Sequence, residues 1–334
     1  MIFVTGGTGL VGSHLLFELA QRSQPIRALY RSEERRNHVL EVFGFYSNEP
    51  EELFQRIEWI EGNLHDLGIL EDVMKDVELV YHCAALVSFD ARDRDRLFKI
   101  NEEGTANIVH TALSAGVKKL AYVSSVASLG RVDDETAINE KNVWKSGPAN
   151  SQYAISKYAA EQQVWKGTQE SLPAVMVNPS LILGPGFWEA GSSKVFSSIA
   201  NGFSFYSEGI NGFVDVRDVA SALVQLANSD IVNERFAVSA ENRSYREVFT
   251  MIAEALGVKP PHRNTPKWLG SIVWRAEWLR SRLMGGSPMV TKETARTAQQ
   301  KVYYSSEKLE RALDFRFRPL GRTIQETAKH FPIE

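Results

Sequence analysis

An apolar run, Ile2-Phe3-Val4, passes directly into Thr5-Gly6-Gly7-Thr8-Gly9-Leu10-Val11-Gly12, and residues 13–22 then carry a helix-forming pattern. A strand, three spaced glycines and a helix in that order leave few folds open. Gly6 permits a tight turn out of the strand, Gly9 lets backbone N–H groups approach an anion, and Gly12 lets the helix pack closely on the sheet. The helix N-terminus adds the positive end of a dipole. The segment is therefore expected to cradle the pyrophosphate of a dinucleotide, with Gly6, Thr8, Gly9, Leu10, Val11 and Gly12 as its contacts.

The pattern that follows supports the same fold. Compact apolar runs at residues 2–5, 26–30, 57–61, 79–83, 119–124 and 174–177 predict six parallel strands. Residues 13–22, 67–75, 98–115 and 151–170 have helical spacing or composition and are expected to cross over on both faces of the sheet. The expectation is a Rossmann-type, doubly wound parallel α/β sheet over residues 1–177. Beyond residue 177, Gly, Pro, Ser and aromatics become dense and regular alternation is lost. We read a smaller, discontinuous α/β substrate lobe over residues 178–334. Strand–helix pairs at 213–218 with 220–226 and at 235–238 with 245–256 would return to the main domain near 213–240.

After a breaker-rich loop at residues 260–266, Trp268, Leu269, Ile272, Val273, Trp278, Leu279 and Leu283 form a bulky stripe, interleaved with Arg275, Arg280 and Arg282. Core or dimer packing is the ordinary use of such a stripe; a lid over a hydrophobic substrate and a membrane-touching surface are the alternatives.

The 334 residues have a formal charge of −3 and no long basic block, which argues against a nucleic-acid partner and for a small molecule. Cys83 is the sole cysteine, so neither an intrachain disulfide nor a cysteine-cluster metal site is open to this sequence, and it reads as a small hydrophobe. There is no metal-binding motif, no apolar run long enough to span a bilayer and no room ahead of the first strand for a signal peptide, so a cytoplasmic protein is expected.

At the end of the second strand, a carboxylate would bond the adenosine ribose and repel a 2′-phosphate, but the sequence has Tyr30-Arg31-Ser32. Arg31 invites that phosphate, so NADP(H) is expected ahead of NAD(H). Arg35 and Arg36 either add to this field or belong to a solvated helix face partly balanced by Glu33 and Glu34.

The remaining chemistry lies at Ser151-Gln152-Tyr153-Ala154-Ile155-Ser156-Lys157, where residues four apart share one helix face. A free tyrosine has a pKa of about 10, and a neighbouring ammonium favours its phenolate, so Tyr153 and Lys157 form a plausible acid–base pair. Val123-Ser124-Ser125-Val126-Ala127-Ser128-Leu129-Gly130 follows a predicted parallel strand, at the sheet end where such folds bind ligands.

Together with His82-Cys83-Ala84-Ala85, Asn101-Glu102-Glu103-Gly104-Thr105, Asn178-Pro179-Ser180 to Gly184-Pro185-Gly186, and the segment from Phe213 to Ala220, this series resembles the extended short-chain dehydrogenase/reductases over nearly the whole chain. The resemblance implies that Tyr153 is the catalytic acid/base, that Lys157 tunes it and holds the nicotinamide ribose, that Ser125 orients the reacting oxygen, and that Asn101 supports the proton relay. Ser125 is preferred to Ser124 by its distance from Gly130. Asn63 and Leu64 would flank the adenine, Cys83, Ala84 and Ala85 the pyrophosphate and ribose, and Pro179 to Ile182 the nicotinamide. Many relatives carry Asp where this chain has Asn63, which accepts a hydrogen bond with less electrostatic gain.

Dehydratases of this family place an Asp-Glu pair after the catalytic hydroxyl residue, whereas Val126-Ala127 follow Ser125 here. Sugar epimerases tend to carry an Arg ahead of the segment matching Phe213, where this chain has Ile210-Asn211-Gly212. Arg31, the Pro185-Gly186-Phe187-Trp188 loop and the tryptophan-rich stripe resemble the dihydroflavonol-reductase-like group. The expected activity is NADP(H)-dependent reduction of a hydrophobic ketone or aldehyde, or the reverse oxidation. The alternatives are a nucleotide-sugar epimerase with tightly held NAD and a non-catalytic NADP(H) sensor or assembly factor. The resemblance also implies a homodimer through the helices beginning near Glu103 and Ser151.

Overall fold

The computed structural model describes residues 1–130, 136–148, 150–265 and 291–332. The stripe at residues 268–283 lies outside the described residues. The strands are β1 (Ile2–Thr5), β2 (Ile26–Tyr30), β3 (Ile57–Glu61), β4 (Leu79–His82), β5 (Lys119–Val123), β6 (Ala174–Pro179), β7 (Leu181–Leu183), β8 (Phe205–Tyr206), β9 (Ile210–Asp215), β10 (Glu234–Val238), β11 (Glu241–Ser244) and β12 (Arg263–Asn264). Seven of them form a parallel sheet in the order β3-β2-β1-β4-β5-β6-β10. The order reverses between β1 and β4, and open α/β sheets bind ligands in the crevice at such a switch point.

The sheet forms here because its strands are apolar on both faces. Ile2 and Val4 point into one core with Leu15, Leu16 and Leu19 of α1 (Leu10–Ala20) and Val219 and Leu223 of α9 (Val216–Ala227). Phe3, Val80, Leu120, Tyr122 and Met176 point into the other, against α6 (Gly104–Ser114) and α7 (Gln152–Gln169). Continuous rather than alternating apolar runs are what two buried faces require.

The rest of the chain builds a second layer. Strands β11, β9 and β7 make a three-stranded sheet and β12 pairs with β8. Their core joins Leu183, Phe196, Phe213, Val248, Ile252, Leu320 and Ile324, drawn from α8 (Lys194–Ala200), α10 (Tyr245–Leu256) and the helix Leu320–Lys329.

Several boundaries differ from expectation. The strand expected over residues 213–218 ends at Asp215, whose carboxylate accepts the Arg217 N–H at 2.8 Å and caps α9. Of the two expected pairs, only β10 joins the central sheet; β9 runs in the smaller one. The helix expected over 98–115 begins as a π-helical turn, Phe98–Glu103. Two helices fill the β2–β3 connection: α2 (Glu33–Gly44), where the sequence offers a solvated helix face at Arg35 and Arg36 as one of two readings, and α3 (Pro50–Gln55), which has no sequence assignment.

Candidate active site

The glycine turn lies at the switch point. Gly6 has φ +70°, and a Cβ there would lie 2.4 Å from the Ala84 nitrogen, so β1 and β4 close together only around a glycine. A Cβ on Gly12 would meet the Gly6 carbonyl oxygen at 2.0 Å. Gly9 is the N-cap of α1 with no side-chain cap bond, and no acidic residue sits in the first turn. The helix thus presents uncapped N–H groups and the positive end of its dipole where an anion would lie.

At the outer edge, Arg31 pairs with no carboxylate among the described residues. Partial desolvation, and then the like charges of Arg35 and Arg96, push its guanidinium below its ordinary value. Glu33 is committed elsewhere, accepting from the Tyr30 hydroxyl at 2.9 Å and pairing with Arg36 at 2.6 Å. The positive charge at the end of β2 is therefore carried by Arg31 and Arg35, with Arg96, itself paired with Asp93 at 2.8 Å, brought up from another segment. Arg96 was not among the sequence candidates, since only folding brings α5 (Arg94–Leu97) here.

The Asn63 side-chain oxygen accepts the His65 N–H at 2.8 Å, which leaves one lone pair for an adenine amine. Leu64 is buried, and its carbonyl is held by the Asn107 amide at 2.8 Å. The Cys83 N–H bonds the Thr5 carbonyl at 3.0 Å, and burial pushes its thiol up to about 12. It is an inert neighbour of the turn rather than a nucleophile.

Asn101 is fully buried in the π-helical turn. Its side-chain oxygen accepts the Leu86 N–H at 2.7 Å, and its amide donates to the Leu86 carbonyl at 3.0 Å and Ser156 Oγ at 2.9 Å. It ties the loop after β4, which carries Ala84 and Ala85, to α7. Single π-turns of this kind recur at functional sites.

Ser151 caps α7 by accepting the Ala154 N–H at 2.8 Å, which fixes where Tyr153 and Lys157 emerge. Burial pushes the Tyr153 phenol above its ordinary value, while the Ser125 hydroxyl beside it pulls the other way. The ring of Phe89 meets that of Tyr153 edge-on, with centroids 5.5 Å apart. Phe89 is exposed, as is Val87 on the same loop, so an apolar ring stands open beside that of Tyr153.

The Lys157 ammonium is 1 % exposed and donates to the Tyr122 hydroxyl at 2.8 Å and the Val123 carbonyl at 3.0 Å. Its pKa falls to about 7 through burial, opposed by Glu161 and Cys83. The sequence suggests a phenol tuned by an ammonium; here burial dominates the phenol, and the ammonium is turned toward β5.

One turn beyond Lys157, Glu161 is wholly buried. One oxygen accepts from Ser124 at 2.6 Å, Ser128 at 2.7 Å and Asn178 at 2.8 Å; the other pairs with Arg235 at 2.8 Å. Asn178 in turn holds the Ser125 carbonyl at 3.1 Å with its other amide hydrogen. The turn that presents Ser125 is thus braced by a buried carboxylate that the sequence reading missed. Its signal was available, because Glu161 continues the four-residue spacing of Tyr153 and Lys157.

Beside Pro179, the Asn178 side-chain oxygen and Ser180 Oγ are buried with no hydrogen-bond partner. With the half-buried Ile182, they leave apolar surface and open polar valences together, as a nicotinamide carboxamide requires. The uncapped helix at one end and these atoms at the other both fit a nicotinamide dinucleotide.

Comparison with known proteins agrees. The family described as the NAD dependent epimerase/dehydratase family matches residues 2–238. A Synechocystis sp. protein assigned by name as a dihydroflavonol 4-reductase is 30% identical, over 92% of this chain and 87% of its own. The NADPH-dependent methylglyoxal reductase GRE2 of Saccharomyces cerevisiae is 24% identical, over 98% of this chain and 96% of its own. The crystal structure of gox2253 superposes with a TM-score of 0.80 and 30% identity, covering 99% of this chain and 97% of that one.

Proposed function

The chain belongs to the NAD dependent epimerase/dehydratase family, is an enzyme that uses a nicotinamide cofactor, and from that premise we propose that it is a cytoplasmic NADP(H)-dependent reductase of hydrophobic ketones or aldehydes. The observation that carries the reading is the placement of the Tyr153 phenol between the Ser125 hydroxyl and the edge of the exposed Phe89 ring. Burial holds the phenol above its ordinary value, so its proton is in place at neutral pH, and the Ser125 hydroxyl beside it favours the phenolate left when that proton is given up.

When bound, the nicotinamide supplies a hydride to the carbonyl carbon. Ser125 donates a hydrogen bond to the carbonyl oxygen and stabilises the charge developing there. Tyr153 transfers its phenolic proton to the same oxygen. Lys157 uses the ammonium hydrogen not engaged by Tyr122 or Val123 to hold the nicotinamide ribose and to favour the phenolate left after transfer. Phe89 and Val87 receive the apolar part of the substrate and exclude water from the phenol. A homodimer through α6 and α7 belongs to the same reading, and sedimentation of the purified protein at the mass of two chains would support it.

Arg31 is the residue proposed to read the 2′-phosphate, with Arg35 and Arg96 adding to its field. The test is titration with NADPH and NADH, followed by nicotinamide fluorescence, on the native protein and Arg31→Asp. NADPH is expected to bind more tightly, and the variant to lose about tenfold or more of that preference, the worth of a charge-assisted contact. NADH preference in the native protein would instead favour the sugar-epimerase reading.

A further inference from the structure

We propose that Tyr122, backed by the His82 ring that Thr105 orients, is a positioning residue that holds the Lys157 ammonium in place for the nicotinamide ribose. This rests on the reading of Lys157 given above, and the experiment below separates the two.

Tyr122 lies in β5, is 1 % exposed and faces the same core as α6 and α7. Its hydroxyl receives the Lys157 ammonium at 2.8 Å, with the nitrogen 4.6 Å from the ring centroid. A tyrosine hydroxyl can accept from an ammonium, and the Tyr122 ring is backed by His82, which Thr105 orients. The Thr105 hydroxyl is fully buried and donates to the Asn101 carbonyl at 2.5 Å, an atom that can only accept. Its oxygen is then left to accept from His82 Nε2, 2.9 Å away.

His82 completes the chain. Its Nδ1 lies 2.6 Å from Thr5 Oγ1, and its ring stacks on Tyr122 with centroids 5.4 Å apart. Burial, and secondarily Lys157, lowers its pKa to about 3, so the ring is neutral, with hydrogen on Nε2 and Nδ1 accepting from Thr5. The hydrogen bonds therefore run from Thr5 through His82 and Thr105 to the Asn101 carbonyl, and the ring they fix lies against Tyr122, whose oxygen accepts from Lys157.

With Tyr122 and the Val123 carbonyl each taking one of three ammonium hydrogens, the third has a single direction left. The ionisable groups around the ammonium are Glu161 on its own helix, Cys83 after β4, and Tyr122 in β5, with His82 stacked behind Tyr122. Glu161 and Cys83 favour its charge through space; Tyr122 fixes its position.

The experiment is NADPH titration of the full chain by nicotinamide fluorescence between pH 6 and 9. Native protein, Tyr122→Phe, Thr105→Val and Thr105→Ser are each referred to Lys157→Met at the same pH, which removes the cofactor's own titration. Native affinity is expected to weaken as pH rises through about 7, where Lys157 loses its proton. Tyr122→Phe should bind about tenfold more weakly, as for a lost hydrogen bond to a charged group, with its midpoint at lower pH. Thr105→Val should move the same way by less, and Thr105→Ser should match the native protein. If Tyr122→Phe only lowers the unfolding temperature, keeping native affinity and midpoint while Lys157→Met loses both, Tyr122 is structural and the proposal is overturned. If Lys157→Met binds like the native protein, the role assigned to Lys157 is itself wrong. Should Tyr122→Phe not fold, the two Thr105 variants carry the comparison, and equal behaviour between them overturns the proposal.

Discussion

The glycine turn follows β1 and the α7 network packs against β5, with β4 between them, and the two treat polar groups in opposite ways. Around Gly6–Gly12 there is almost no side chain, and the N-terminus of α1 is left uncapped. Around Lys157 and Glu161, charges and hydroxyls are buried and matched to one another. The first region leaves groups open, as an anion site requires; the second leaves few open, as a rigid site requires. A substitution at the turn should therefore cost binding and little stability, whereas one in the network should cost stability first.

The sharpest way to break that distinction is Gly12→Ala. Its methyl would sit 2.0 Å from the Gly6 carbonyl oxygen, and the shift needed to relieve it should weaken cofactor binding by about 100-fold or more, corresponding to roughly 3 kcal/mol. Calorimetric titration with NADPH, beside a thermal unfolding curve, would check both halves; a lowered unfolding temperature with native affinity would contradict the account.

Glu161→Gln tests the other side. It leaves Arg235 without its buried counter-ion and, since two backbone carbonyls still hold that guanidinium, the cost should be near the low end for such pairs, about 3 kcal/mol. Urea unfolding would show it as a lower midpoint; NADPH affinity should fall by less than in Gly12→Ala and chiefly at higher pH, because Glu161 also favours the charge on Lys157.

A smaller effect tests both regions together. His14 on α1 is held down to about 4 and His82 in the network to about 3, both chiefly by burial. In each case the unfolded chain takes up the proton more readily, so their contribution to stability is complete above pH 6.5 and is lost as pH falls toward 4 and 3. Between pH 6.5 and 5.5 the two should together remove about 2 kcal/mol, and His14→Gln should remove about half of the slope.

The sequence was legible where a local rule had one solution. The six expected strands are present because both faces of the sheet are buried, and the glycine turn is present because β1 approaches Ala84 as closely as only Gly6 allows. Legibility failed where a charged side chain ended an element, as Asp215 does, and where polar surface hid helices, as in α2 with Glu33, Glu34, Arg35 and Arg36 at its start. In the candidate site, Tyr153, Lys157 and Ser125 were found by spacing and resemblance. Arg96, Tyr122 and Arg235 were not, because each acts on a residue tens of positions away. Glu161 was missed although it shares a helix face with Lys157, because a carboxylate in a helix ordinarily reads as solvated surface.

The most direct test of the proposed activity is Tyr153→Phe, measured by NADPH oxidation against a panel of aryl and alkyl aldehydes and ketones and by NADPH titration. The account predicts that the native protein consumes NADPH with members of the panel, and that the variant loses at least about 100-fold of that rate, as expected for a missing general acid, with unchanged NADPH affinity. A variant that turns over the same carbonyls at the native rate would contradict it.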